Sequence, residues 1–306
     1  MRPPRVSVVM PAHNSERWIG AAIDSVLAQT FDDFELLIVD DGSTDGTPAI
    51  VAQYEERDRR IRVLRPGRVG AIAARNLAIH EARGEYIANM DSDDLSMPER
   101  LAKEVAVLDA NPDVLAVTAG MAVIHHQLAV PADLSGLKLR TPPAGPAGRL
   151  NGFGLKYRPV YHGPTMFRRD ALLRIGLYRR FFTHAEDADL FLRLEEVGTI
   201  FRLSNTLYLQ RKHLENTSFR FPYAQVESTV LALLSAKRRR QGGSDLEGID
   251  GRPFWRLFHF GLTPTEIIHT LILSGLRCGR KALKRSKSRR RRSTAMLPCD
   301  LSTSTS

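Results

Sequence analysis

The sequence predicts an α/β fold, a mainly parallel sheet covered by helices, with a C-terminal helical appendage. Three observations carry this prediction. Apolar runs of strand length alternate with stretches of helical periodicity from Val6 to Ile124, turn-forming residues separate them, and acidic clusters follow where the runs end. Strands that alternate with helices imply right-handed crossovers and a sheet covered on both faces. In such sheets ligands bind beyond the carboxyl ends of the strands.

Val6–Pro11 and Phe34–Asp40 are the two strongest strand patterns, and Ile61–Arg65, Tyr86–Met90 and Val114–Ala119 are shorter ones. Between the first two, Trp18, Ile19, Ala22, Ile23, Val26 and Leu27 recur at helical spacing. Further helices are predicted over Thr47–Arg57, Ala71–Ala82 and Glu99–Asp109, the last with Pro98 at its first turn. His125 to Leu150, with four prolines and several glycines, reads as a long irregular excursion rather than a domain linker. Helical pattern resumes at Arg168–Ile175 and Glu186–Val197. After Ser218 come a helix around Pro222–Arg239, a break at Gly242–Gly243 and an amphipathic helix opened by a capping box at Thr263–Glu266. The expected organisation is therefore a main domain over residues 1–218, a helical region over 219–283 and a basic, disordered tail over 284–306.

Composition narrows the class. The 306 residues are 43% hydrophobic and 25% charged, ordinary values for a globular protein. Met1–Arg5 leads directly into the first strand, leaving no room for a signal peptide, and no run of about 18 apolar residues occurs. Cys278 and Cys299 form neither a disulfide framework nor a metal-ligand spacing, which fits a reducing cytoplasm. The net charge of +10 is concentrated. Nine Lys or Arg residues and no acid lie between Arg280 and Arg292, so the remainder is nearly neutral. That distribution disfavours a nucleic-acid-binding face on the folded domain and suggests a short electrostatic appendage.

Three acidic clusters sit where the sheet rule expects chemistry. Asp40, ending an apolar strand, can accept hydrogen bonds from a base N–H or a ribose hydroxyl, whereas Asp45 reads as a helix cap. Asp91-Ser92-Asp93-Asp94 follows the fourth strand. Three carboxylates in four residues repel one another, and a divalent cation removes the repulsion. Two apart in extended backbone, Asp91 and Asp93 are expected to face the same side of the crevice. Glu186-Asp187 opens a predicted helix, whose dipole is expected to keep a carboxylate ionised and to lower its pKa.

Taken in order, these residues resemble the family 2 glycosyltransferases of GT-A fold. The resemblance runs over roughly residues 5–218: Val6–Asn14, Asp40–Asp45, Ala74-Arg75-Asn76, Gly84–Ile87, Asp91–Asp94 with Pro98, Thr165–Arg169, Glu186–Leu190 and Arg211-Lys212-His213. It implies that Pro11, Ala12, Asn14 and Glu16 border the nucleotide and that Asp40 contacts the base, usually uracil. Arg75 would lie near the base or diphosphate and Asp91 near the ribose. Asp93 would bind a divalent metal, Mn2+ or Mg2+, and His213 would complete its shell or touch the diphosphate. Asp187 would be the general base of an inverting transfer from a nucleotide-sugar, with UDP preferred. The acceptor would be a glycan or a lipid-linked glycan of polysaccharide or cell-envelope synthesis. The segment before Arg211 departs from the family, which often has Tyr immediately before the Arg; here Tyr208 stands three residues earlier.

Two other readings compete. A nucleotidyltransferase would need a glycine- and Lys/Arg-rich loop after the first strand, but Ala12–Arg17 has no glycine and contains an acid. A degenerate domain serving as a polybasic RNA- or membrane-binding module would draw on the basic tail. No aromatic residue interleaves Arg280–Arg292, while Phe254, Trp255, Phe258 and Phe260 precede it, so an anionic membrane surface is the better partner and nucleic acid the poorer. The protein would then lie in the cytoplasm, peripheral to the inner face of the plasma membrane.

Overall fold

Apolar runs bounded by turn-formers become the centre of the sheet. The computed structural model describes residues 2–125, 147–150, 160–213 and 222–245. In it β1 (Val6–Ala12), β2 (Phe34–Asp40), β3 (Ile61–Leu64) and β4 (Tyr86–Asn89) stand in the order β3-β2-β1-β4, all parallel. Every residue of β2 and β4 is buried, as parallel strands covered on both faces must be. The crossovers are α1 (Ile19–Leu27), α2 (Thr47–Arg57) and α3 (Ala71–Glu81), all close to the predicted spans.

Alternation along β2 divides the core. Leu36 and Ile38 face one layer with Ile19, Ile23 and Val26 of α1 and with Leu101, Val105 and Leu108 of α4 (Arg100–Ala110). Leu37 and Val39 face the other, with Ala74 and Ala78 of α3. That second layer also holds Leu172 of α5 (Arg169–Arg174) and Phe191 and Leu194 of α6 (Glu186–Val197).

Beyond β4 the sheet is mixed. β8 (Thr165–Arg168) is antiparallel to both β4 and β6 (Val114–His125), and β6 runs parallel to β9 (Thr199–Lys212). β9 also carries β5 (Leu95–Ser96) and β7 (Gly148–Leu150), each antiparallel. The result is an α/β fold with helices on both faces of a nine-stranded sheet. Two boundaries differ from expectation. The fifth predicted strand continues to His125, and residues 148–150, placed in the irregular excursion, are strand. Pairing with β9 accounts for both.

Helix α7 (Pro222–Arg240) packs on α6 through Ala232 and Ala236 against Phe182 and Leu192. Arg239 and Arg240 pair with Glu196 and Glu195 at 2.8 and 3.0 Å. Most of the expected excursion, the amphipathic helix from Thr263, both cysteines and the basic segment lie outside the described residues. Among the described residues no helix is long and apolar enough to cross a membrane.

Candidate active site

The carboxyl ends of β1, β2 and β4 open onto three loops that hydrogen-bond to one another. Ala12 ends β1 in register with Asp40, and Pro11 precedes it. Asp40 Oδ1 accepts the Ser43 N–H at 3.0 Å, closing the turn after β2. Asn14, at φ 50°, accepts the Thr44 N–H at 2.8 Å, while Glu16 accepts the Gly46 N–H at 2.6 Å and donates its own N–H to Asp45 at 3.1 Å. Asn14 and Glu16 therefore knit the first loop to the second. Asp45 also accepts the Thr47 N–H at 2.9 Å, a turn at the residue before the helix cap, Gly46, rather than the cap itself.

Asp41, which the sequence reading left without a role, is the anchor of this corner. Its Oδ1 accepts the N–H groups of Val69 and Gly70 at 2.6 and 2.9 Å, and Arg68 pairs with its other oxygen. This fixes the entry to α3, the helix that carries Arg75. Gly42 beside it has φ +64°, and a Cβ there would stand 2.9 Å from the Arg68 nitrogen, so only glycine fits.

The acid loop after β4 is a turn, closed by the Asp94 N–H donating to the Asp91 carbonyl at 3.2 Å. The expectation that Asp91 and Asp93 face one side assumed extended backbone, and here, in a turn, the two carboxylates take different partners. Asp91 accepts from Arg75 Nη2 at 3.2 Å, whereas Asp93 Oδ2 lies 2.7 Å from His213 Nε2. Asp94 is buried, and its Oδ1 accepts the Arg211 N–H at 2.7 Å. Burial pushes its carboxyl well above the usual range, and the charges of Asp93 and Asp91 push the same way. Tyr208 sits beneath the loop with its hydroxyl donated to by the Asp91 N–H at 3.1 Å. The tyrosine that departs from the family spacing thus supports the acids from below. Ser15 and Ser92 link the first loop to this one at 2.8 Å.

Asp93 and His213, 2.7 Å apart, are the carboxylate and imidazole that the resemblance assigns to a divalent cation. A carboxylate and an imidazole, part-buried at 24% and 12% exposure, fit a small cation that takes its remaining ligands from phosphate oxygens and water. Among the described residues no cluster of three His, Cys, Asp or Glu could hold a metal unaided. His213 stacks on Trp18 at 5.9 Å, and Arg211 lies over the same indole at 4.6 Å.

Asp187 stands in the first turn of α6, half-buried, with its Oδ1 accepting the Ala188 N–H at 2.8 Å. The dipole argument predicted a lowered pKa, and the direction is the opposite. Burial pushes the Asp187 carboxyl up to about 6, and the neighbouring Glu186 charge adds to the rise. Arg75 Nη1 lies 3.8 Å from Glu186 Oε1. The structure thus gathers Arg75, Asp91 and Glu186, with Asp187 adjacent in the chain; Asp93 and His213 form a second pair, and Asn14, Glu16 and Asp40 a third group. Glu186 was expected only as part of the third acidic cluster, without a role of its own, and Tyr178, Tyr208 and Trp18 were given no role at the site. The third acid of the later motif, Asp189, is fully buried and held by Arg179 and Arg193, a structural hub tied onward to Asp245.

A family model described as glycosyl transferase family 2 matches residues 7–176. EpsE of Bacillus subtilis (strain 168), provisionally named a glycosyltransferase, is 33% identical over 261 residues, covering 83% of this chain and 90% of that protein. Among solved structures, Staphylococcus aureus TarS residues 1–349 in complex with UDP-GlcNAc is similar with a TM-score of 0.61 and 20% identity, over 88% of this chain and 80% of that one. The mannosyltransferase PcManGT from Pyrobaculum calidifontis, in complex with GDP-Man and Mn2+, gives a TM-score of 0.56 at 20% identity, over 94% of this chain and 80% of that one. These two likenesses concern the fold.

Proposed function

The chain belongs to glycosyl transferase family 2, and from that membership we propose that it moves a sugar from a UDP-linked donor to an acceptor hydroxyl with inversion at the anomeric carbon. What supports this reading is one buried cation, Arg75, set between an acid at the end of β4 and the acids that open α6. In this reading donor-side and acceptor-side carboxylates border one cleft, as a single displacement requires.

In this reading Pro11, Ala12, Asn14 and Glu16 line the nucleotide's side of the cleft, Asp40 meets the base and Asp91 the ribose. Asp187 takes the proton from the acceptor hydroxyl as its oxygen attacks the anomeric carbon opposite the departing diphosphate. A carboxyl brought up to about 6 is a stronger base than an ordinary aspartate and is still ionised at neutral pH. Asp93 and His213 would hold Mn2+ or Mg2+, which when bound supplies countercharge to the diphosphate. With one base and one displacement, the anomeric configuration inverts.

A hydrolysis screen over a panel of nucleotide-sugars tests the donor: turnover of a UDP-sugar is expected, and turnover confined to GDP-sugars would overturn the nucleotide assignment. The acceptor in this reading is a glycan or lipid-linked glycan. The basic segment over 280–292 is assigned an anionic membrane surface at the cytoplasmic face, on charge alone. Co-flotation with anionic vesicles, lost on deleting residues 280–306, is the expected result; flotation unaffected by the deletion would refute it.

A further inference from the structure

Arg75 points inward from α3, with its side chain 7% exposed. Nη2 donates to Asp91, Nη1 faces Glu186, and the guanidinium carbon lies 5.5 Å from the centroid of the Tyr178 ring. Its Nε has no hydrogen-bond partner. The ring beneath it is fixed from three directions. Asn76, next to Arg75 on α3, clamps the Tyr178 backbone, donating to its carbonyl at 2.8 Å and accepting its N–H at 3.1 Å. The Tyr178 hydroxyl lies 2.7 Å from His162 Nε2, and Asn89 Nδ2 donates to the same hydroxyl at 3.2 Å. Burial holds the His162 imidazole well below its ordinary pKa, so it is neutral, and Asn89 Nδ2 also stands 2.8 Å from its Nε2. Arg75 therefore rests on a platform that cannot swing, and the ion pair to Glu186 is made from a fixed point.

Glu186 itself is 20% exposed at its side chain and turned to this cation, in a position where a helix-opening acid would ordinarily face solvent. We infer that Glu186 is a positioning residue: yoked through Arg75 to Asp91, it holds the first turn of α6 against the donor side of the cleft and so presents Asp187 to the acceptor. This inference rests on Asp187 being the base. The charged groups facing Asp187 act in opposite senses. Glu186 raises its pKa, while Arg75 and the Ala188 N–H lower it; Tyr178, pushed above its ordinary value by burial, stays neutral.

Those senses make the test signed. In Glu186→Gln the acid limb of the kcat/KM profile is expected to move to lower pH by roughly half to one unit, because a like charge is removed. Plateau kcat should fall by about tenfold as the base loses its tether, with donor KM changed less than about twofold. In Arg75→Met the limb should move to higher pH. The opposite limb shifts report that both charges face Asp187, and the fall in plateau kcat with donor KM retained reports the tether, so an unchanged plateau kcat in Glu186→Gln also overturns the inference. A limb unmoved in Glu186→Gln overturns the inference, and this variant decides the matter alone if Arg75→Met does not fold. Asp187→Asn separates the two readings. Full turnover in Asp187→Asn removes the base itself, whereas an inactive Asp187→Asn beside an unmoved Glu186→Gln limb removes only the yoke.

Discussion

Replacing Asp187 by Asn should cost turnover and increase stability in the same molecule. The Asn carbonyl can still accept the Ala188 N–H that Asp187 accepts at 2.8 Å, so the helix start is preserved. What is lost is a charge that the fold disfavours. Raising the carboxyl from 3.8 to about 6 is a rise of about two units, each worth about 1.4 kcal/mol, or a ceiling of roughly 3 kcal/mol. The side chain is only half-buried, and solvent screening reduces this to about 1–2 kcal/mol. The sign follows from linkage. A carboxyl raised in the folded state takes up a proton on folding between its unfolded and folded values, so its ionisation lowers stability as pH rises through that window. The gain in Asp187→Asn is therefore expected in full above about pH 7 and should vanish below about pH 4. Urea unfolding at pH 7.5 and pH 4, compared with the parent, measures it. Single-turnover kinetics should show kcat reduced by about 10²–10⁴-fold with donor affinity retained. A variant that is less stable at pH 7.5, or that turns over as well as the parent, would refute the reasoning.

Other outcomes follow from the same geometry. The acid limb of the parent's kcat/KM should bend near the pKa of about 6 and not near the ordinary aspartate value, as a pH–rate profile would show. Chelation should abolish transfer and added Mn2+ or Mg2+ restore it, with Asp93→Asn raising the cation concentration required by at least about tenfold in a metal titration. Gly42→Ala places a Cβ 2.9 Å from the Arg68 nitrogen at a left-handed φ of +64°, and should destabilise by about 1–2 kcal/mol in chemical denaturation. Asp189→Ala leaves Arg179 and Arg193 without their shared buried carboxylate and should cost about 3–5 kcal/mol by the same assay.

The parts of this protein that could be read in advance are those set by local pattern. β1, β2 and the helices Thr47–Arg57 and Glu186–Val197 are continuous apolar runs or clean 3.6-residue stripes, and their bounds follow directly. β9 was not legible. Its polar positions Arg202, Ser204, Asn205, Gln210 and Lys212 and its register shifts against β6 break any simple alternation, and it is strand because long-range pairing makes it so. The two-residue β5 and three-residue β7 exist only through that partner. At the site, residue types and order were readable, but directions were not. Asp91 and Asp93 meet different partners in a turn that replaces the assumed extended backbone, and the Asp187 pKa rises because burial and Glu186 outweigh the helix dipole. The roles of Asp41, Tyr178 and Tyr208 depend on partners between 16 and 117 residues away, which no local motif encodes.

The short ladder between β5 and β9 acts as a ruler. Asp93 and His213 are 120 residues apart, yet they meet because Leu95 pairs with Leu209 and Ser96 with Tyr208, a register that the Arg211 N–H extends to Asp94. Side chains alternate along a strand, so losing or gaining one residue between Leu209 and His213 would turn the imidazole to the opposite face. A change of two would restore the face and displace the ring by roughly 7 Å. Spacing, more than the identity of Gln210 or Lys212, is what this corner of the molecule has to preserve, with Arg211 between them buried over Trp18 and donating to the Asp93 carbonyl at 3.0 Å.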